Sequence, residues 1–428
     1  MKVVAFVPVK ENSSRIENKN TKLLDGKPLF LHTVEKLMKC EFIDEVYVDT
    51  ESKRIVELSE HTGCRFLMRD PSLANNDTDG NALYYNEIKK VDADIYVQVL
   101  CTSPFIDPET IKKGIDRVTL GDYDSSVLVR TERLYMWEEK GPIYDRDSIP
   151  NSNDLKPTTF ETMGLYINDK TSLETKKRIG KKVYPLQASA TEAIDVNYPE
   201  DFELAQLIAS GLREKERKLF NNIKTHLNSS MLSDILDDLG INGVLKDMHV
   251  NLPVKILGRS KTLEIRELEK GEDYKGIYEA LKTYDTIIPN DIIFVKNPIQ
   301  KSAYFGELNA NLAIRSGASG AIIDGYTRDS EEVKKLGFPV FYRGKTCQDV
   351  KRRGTVKSFN KKITIDGIEI NPNDLIFGDE DGIIIMPQDK EEIILKKAFE
   401  VIKKEKNILI DICDGVDTDD IIKQNGFF

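Results

Sequence analysis

The feature that most constrains this chain is a regular alternation of short β-rich apolar runs with amphipathic helical stretches through its first half. Val3–Val9, Glu45–Asp49, Ile95–Leu100 and Ser125–Arg130 read as strands, and Leu29–Lys39, Ser52–Thr62 and Pro108–Val118 read as helices between them. That alternation predicts an α/β fold with a mostly parallel sheet and helices on both faces. A chain of 428 residues is too long for one ordinary domain and suits two or three. Asp201–Lys218 reads as a helix closing the first unit, and its end turns densely charged. The boundary is set there, giving units 1–215 and 216–410 and an acidic tail, 411–428.

The second half opens with helical Asn222–Asn228 and Ser230–Leu239, the latter capped by Ser229 or Ser230 and stopped by Gly240. Short β runs follow at Ile292–Val295, Ala321–Asp324, Val340–Tyr342, Lys362–Ile365, Asp374–Phe377 and Ile383–Met386, then an amphipathic helix over Lys390–Lys406. A net charge of −10 argues against non-specific nucleic-acid binding, although a local basic cleft can still hold a nucleotide. Five scattered cysteines without CxxC spacing suit a reducing compartment, with neither a disulfide framework nor a zinc site. The four histidines form no HxxxH or HExxH pair. No apolar run reaches the ~18 residues of a membrane span, and the first residues lack the apolar core of a signal peptide. The expectation is a cytoplasmic protein that does not enter membranes.

Directly after the first strand comes a polar loop carrying Lys10, Ser13, Ser14, Arg15, Lys19 and Asn20. Cations and hydroxyls at the carboxyl edge of a strand are the parts a triphosphate needs. The loop is neither GxxxxGK[ST] nor GxGxxG, and composition alone does not separate it from a solvated βα turn. The spacing of Pro8, Lys10, Ser13, Ile16, Lys19 and Asn20 resembles the signature of CMP–acylneuraminate synthetases, which are CTP-using cytidylyltransferases. Leu23–Phe30, Glu45–Ser52, Arg69 with Leu73–Thr78, Leu100–Pro104, Met163–Ile167 and Ala193–Phe202 are similar to further segments of that family, in the same order.

The resemblance implies a Rossmann-like nucleotidyltransferase domain. Lys10, Ser13, Ser14, Arg15 and Lys19 would hold the triphosphate, Asn20 the nucleotide, and Arg69 would lie near the base. An acceptor oxygen would attack the α-phosphorus of CTP and expel pyrophosphate, with magnesium or manganese held by Asp195 and Asn197. Three positions depart from the family pattern. Lys10 stands for an arginine, Asn197 for a second metal carboxylate, and Leu100 for a glutamine on the acceptor side. The acceptor implied is an anionic sugar acid of the 2-keto-3-deoxy type, with a phosphonate or another small anion as the alternative.

In the second half, Phe305–Asp329 is densest in chemistry. A helix from near Leu308 to Gly317 and a returning strand, Ala321–Asp324, have similar lengths, at about 1.5 Å and 3.3 Å per residue. Arg328 and Asp329 can therefore lie near Gly306 and Glu307 at the helix start. Free N–H groups there, at Gly306 to Leu308, attract a carboxylate. Arg328 can bind the anion, Asp329 a divalent metal, and Glu307 can move a proton. A surface Arg–Asp pair beside a helix-start carboxylate has the same composition. Glu307 and Arg328 enclose positions 308 to 327, the spacing of the site motif in the RraA-like family, which contains 4-hydroxy-4-methyl-2-oxoglutarate aldolases and oxaloacetate decarboxylases. Ser233–Gly240, Leu336–Gly344 and Asn373–Gly382 are similar to further segments of that family. The resemblance implies a C-terminal α/β domain of the swivelling β/β/α kind with a metal-dependent lyase site acting on a 2-oxo acid. The alternative is a non-catalytic oligomerisation or regulatory module. Both families imply a homo-oligomer with dimer or trimer contacts.

Overall fold

A computed structural model describes residues 1–75, 78–299 and 301–425, and the chain divides into two compact units, Met1–Ser210 and Gly211–Phe428. Asn76 and Asp77, part of the segment likened to a family loop, lie outside the described residues.

The first unit is built on a seven-stranded sheet. Its strands are β1 (Val3–Pro8), β2 (Glu45–Thr50), β3 (Arg65–Met68), β4 (Ile95–Val99), β5 (Ser125–Glu132), β6 (Thr158–Asp169) and β7 (Val183–Gln187). Their spatial order is β7-β5-β6-β4-β1-β2-β3, and every neighbouring pair is parallel except the two that involve β6. Helices α1 (Leu29–Met38), α2 (Lys53–Ser59), α3 (Gly80–Ile88) and α4 (Pro108–Thr119) connect them. β1 is apolar at every position because both its faces are covered. Val3, Ala5 and Val7 join one core, with Phe30 and Val34 of α1 and Ile111 and Ile115 of α4. Val4 and Phe6 point the other way, toward Tyr84 and Ile88 of α3. The strand order reverses between β1 and β4, so the loops leaving their carboxyl ends flank an open crevice, the usual ligand position in such sheets.

The second unit has a ten-stranded mixed sheet. Its long strand is β8 (Ile256–Glu267), followed by β9 (Ile292–Lys296), β10 (Ala303–Phe305), β11 (Gly320–Thr327), β12 (Val340–Lys345), β13 (Gly354–Phe359), β14 (Leu375–Gly378) and β15 (Ile383–Met386). β8, β9, β11 and β12 run parallel in that order, while β13 and β14 pair antiparallel with β8. Helix α5 (Pro199–Ile223) runs as one element past the point where sequence reading starts a new helix. It is followed by α6 (Ser229–Leu239), whose cap is Asn228 rather than a serine: its side chain accepts the Met231 N–H at 2.7 Å. Helix α7 (Glu307–Ser316) ends at Gly317 in a left-handed turn, α8 (Ser330–Lys335) follows β11, and α9 spans Glu391–Cys413. Both units are α/β, and the first is mostly parallel, as the sequence pattern requires. Among the described residues no helix is long and apolar enough to cross a membrane.

Candidate functional sites

At the crevice of the first unit the loop after β1 folds back on itself and on the β2 and β4 ends. Asn20 donates its side-chain N–H to the Lys10 carbonyl at 2.8 Å, closing the loop. The Lys19 ammonium is buried and donates to the Val196 carbonyl at 2.8 Å. That places Lys19 beside the segment carrying Asp195, and Val196 in turn donates its N–H to the Thr102 carbonyl after β4. Burial and repulsion from Arg15 lower the Lys10 ammonium, with Arg69 adding to the repulsion. Burial also lowers Lys19, against the attraction of Cys101 and Asp195. Lys10, Arg15, Lys19 and Asp195 therefore feel one another's charge at one sheet edge.

Asp195 and Asn197 are joined. The Asn197 amide donates to Asp195 Oδ2 at 2.5 Å, and Asp201 accepts the Asn197 N–H at 2.9 Å. Asp195 Oδ1 is buried without a hydrogen-bond partner among the described residues. Arg15 is exposed and lies 5.4 Å from the Tyr198 ring centroid. Ser13 is half-buried and Ser14 exposed, both on the same loop. Arg69 is placed differently from the other cations. It is buried and paired with Glu51 at 2.9 Å and Asp49 at 3.4 Å, and Glu51 also accepts the Glu11 N–H at 2.8 Å. Arg69 thus braces the loop from beneath. Nothing in the sequence singles out Glu51 or Asp49 for this task. Cys101 is a packing residue: burial pushes its thiol up to about 12, and its S–H points at Asn20 Oδ1, 3.4 Å away.

In the second unit β10 pairs in parallel with β11, setting Phe305 beside Thr327. The residues that follow each strand, Gly306-Glu307 and Arg328-Asp329, therefore emerge side by side. Asp329 Oδ2 accepts the Glu307 N–H at 3.2 Å, and the Arg328 N–H donates to the Phe305 carbonyl at 2.9 Å. A Cβ on Gly306 would stand 2.5 Å from Asp329 Oδ2, so the close approach needs glycine. Asp329 itself adopts φ 52°, a left-handed conformation that costs a non-glycine residue energy and turns its carboxylate back toward α7. Glu307 and Leu308 are exposed at the helix start. Asp349, which sequence reading does not pick out, pairs with the Arg328 guanidinium at 2.8 Å. It belongs to the turn before Lys351-Arg352-Arg353, where Lys351 and Arg352 lie over the Tyr274 ring.

Fold and sites together define a chain of two α/β units, one with a cationic crevice at a sheet edge and one with a carboxylate–arginine corner. Residues 4–202 match the family model described as cytidylyltransferase, and residues 229–385 match RraA-like, described as Aldolase/RraA. A putative 4-hydroxy-4-methyl-2-oxoglutarate aldolase of Halalkalibacterium halodurans is 31% identical over 173 residues, 40% of this chain and 77% of that protein. The chain belongs to the RraA-like family through its second half and carries a cytidylyltransferase region in its first. The CMP-N,N'-diacetyllegionaminic acid synthase of Legionella pneumophila is 26% identical over 228 residues, 48% of this chain and 95% of that protein. Protein DlpA of the same organism is 29% identical over 192 residues, but the match spans only 31% of its length and 44% of this chain.

Proposed function

We propose that the first unit transfers a cytidylyl group from CTP to a hydroxyl of a 2-keto-3-deoxy sugar acid. The acceptor oxygen forms a bond to the α-phosphorus, the bond to the β-phosphate breaks, pyrophosphate leaves, and the hydroxyl proton is released. The carrying observation is geometric: the loop after β1, closed by the Asn20–Lys10 hydrogen bond, sets Lys19 against Val196 next to Asp195 and Arg15 against Tyr198. Clustered cations bind the triphosphate and stabilise the charge that builds on the leaving pyrophosphate.

Asp195 would hold magnesium or manganese. Its Oδ1 is buried and unpartnered, a carboxylate oxygen is a hard donor, and Asn197 fixes the other oxygen. No group of three His, Cys, Asp or Glu is arranged for a metal among the described residues, so phosphate oxygens would complete the shell. Such an ion supplies charge neutralisation to the phosphates. The test is purified protein with CTP, magnesium and a panel of sugar acids; pyrophosphate release with one of them is expected, and release with none removes the reading. Leu100 and Asn197 favour a second reading, in which a phosphonate or another small anion is the acceptor.

The second unit, on this proposal, makes or breaks a carbon–carbon bond beside a pyruvate unit. Arg328 and the Leu308 N–H bind the 2-oxo acid, the Glu307 N–H being taken by Asp329, and Glu307 moves a proton. Asp329 would hold a divalent ion, which supplies polarisation of the keto group. Arg328→Ala is expected to cut pyruvate release from oxaloacetate or a 4-hydroxy-2-oxo acid by about 100-fold or more; an inactive parent removes the lyase reading in favour of a structural module. A homo-oligomer is also proposed. The short hairpin at Trp137–Pro142 and the loop after it expose Trp137, Ile143 and Ile149 by 66%, 61% and 66%, apolar surface that self-association would cover.

A further inference from the structure

Beside the crevice, the first unit contains a cavity of ≈420 Å3 lined by Asp79, Gly80, Asn81, Glu161, Lys177 and Arg178 among others. Sites for small ligands run from about 300 to 1,000 Å3. Arg178 is fixed there at four points. Its N–H donates to Asn81 Oδ1 at 2.9 Å, and its carbonyl accepts the Asn168 amide at 3.0 Å. Its guanidinium lies 3.8 Å from the Tyr166 ring centroid. It also rests against Gly80, where a Cβ would stand 2.7 Å from the guanidinium carbon. The faces of the guanidinium are thus used for packing, while its N–H edge makes no hydrogen bond or ion pair among the described residues.

The pocket's carboxylates are already engaged. Asp79 accepts the N–H groups of Asn81 and Ala82, at 2.7 and 3.0 Å, and Glu161 accepts the Tyr166 hydroxyl. Its cations, Lys177 and Arg178, have no acid partner among the described residues. A planar fork held by stacking, with its donor edge open, suits a carboxylate. One wall of the pocket also meets the end of the strand that leads into Leu100. The register of β5 and β6 shifts between Glu161 and Tyr166, and within that stretch Gly164 accepts the Leu100 N–H at 2.9 Å. Asp195 is near enough for its charge to raise the Tyr166 phenol, after burial and the Glu161 hydrogen bond.

We propose that Arg178 binds the carboxylate of the acceptor, making this cavity the acceptor pocket and acids its substrates. The proposal rests on the cytidylyl-transfer reading and is separable from it. The probes are 3-deoxy-manno-octulosonate, N-acetylneuraminate and their methyl esters, followed by ligand-observed NMR on CTP-loaded parent, Arg178→Gln and Arg178→Lys, with CTP affinity measured by calorimetry. At least one acid should bind the parent about 10-fold or more tighter than its ester. Arg178→Gln should lose that preference, Arg178→Lys should keep part of it, and CTP affinity should be unchanged in both. Acid and ester binding alike, no acid binding, or full acid affinity in Arg178→Gln would overturn the assignment. Acid binding without pyrophosphate release would uphold Arg178 and count against cytidylyl transfer. Turnover that Arg178→Gln leaves untouched would do the reverse.

Discussion

The two candidate sites hold their charges in opposite ways. In the first unit Lys19 and Arg69 are 5% and 6% exposed, and each is fastened to a neighbouring element before any ligand arrives. In the second unit the Arg328 and Asp329 side chains are 34% and 41% exposed, and backbone pairing sets their position. A buried cation is desolvated, so its bonds also hold the fold together. A half-exposed pair costs the fold little and contributes little to it. Substitutions in the first site should therefore move stability and activity together, while those in the second should move activity alone.

The largest test of that contrast is Lys19→Met. It removes a phosphate ligand and leaves the buried Val196 carbonyl without its donor. Pyrophosphate release should fall by about 1,000-fold, and urea unfolding should show about 1–3 kcal/mol lost. Lost activity with full stability would break the comparison. Next in size is a pH effect confined to the first unit. His32 donates to the Leu24 carbonyl at 2.7 Å, and burial pushes its imidazole from 6.5 down to about 4. A histidine depressed in the fold takes protons more readily when unfolded. Its contribution is present above pH 6.5 and is lost as pH falls toward 4, by up to about 3 kcal/mol. Unfolding of the parent and of His32→Gln between pH 7 and 4.5 should show a steeper loss in the parent; parallel curves would refute it. The smallest effect belongs to Gly306→Ala. The new methyl displaces the Asp329 carboxylate, so pyruvate release should drop about 10-fold while stability changes by less than about 1 kcal/mol. An unchanged rate would show that the Gly306–Asp329 approach does not matter.

These differences also decide what could be read from the sequence. The parallel strands β1 and β4 are near-continuous apolar runs and β2 has the apolar centre Val46–Val48, so periodicity finds them. β8 escapes it because Arg259, Lys261 and Glu264 interrupt the run, although Lys261 and Glu264 are buried. Each finds a distant partner: Glu391 and Glu216 for Arg259, Asp291 for Lys261, Lys296 and Lys357 for Glu264. No local pattern announces such pairs. The cationic loop and the Glu307–Arg328 interval were legible because each is contiguous or regularly spaced. Glu51, Asp49, Asp349 and Arg178 were not, since their roles arise from strands and turns meeting in space. Arg69 adds what its place in the chain does not announce: it is held by Asp49, which is buried, and by the partly buried Glu51.

The parallel pairing of β10 with β11 has a consequence for how this protein can vary. The interval between Glu307 and Arg328 works as a gauge block whose two ends must meet. One residue added within α7 would rotate everything beyond it by about 100°, and one added within β11 would swap its inward and outward faces. Only the bend at positions 317–319, between α7 and β11, can absorb extra length without moving either end. Length in this stretch is therefore more tightly constrained than composition, and insertions that spare the corner should be confined to that bend.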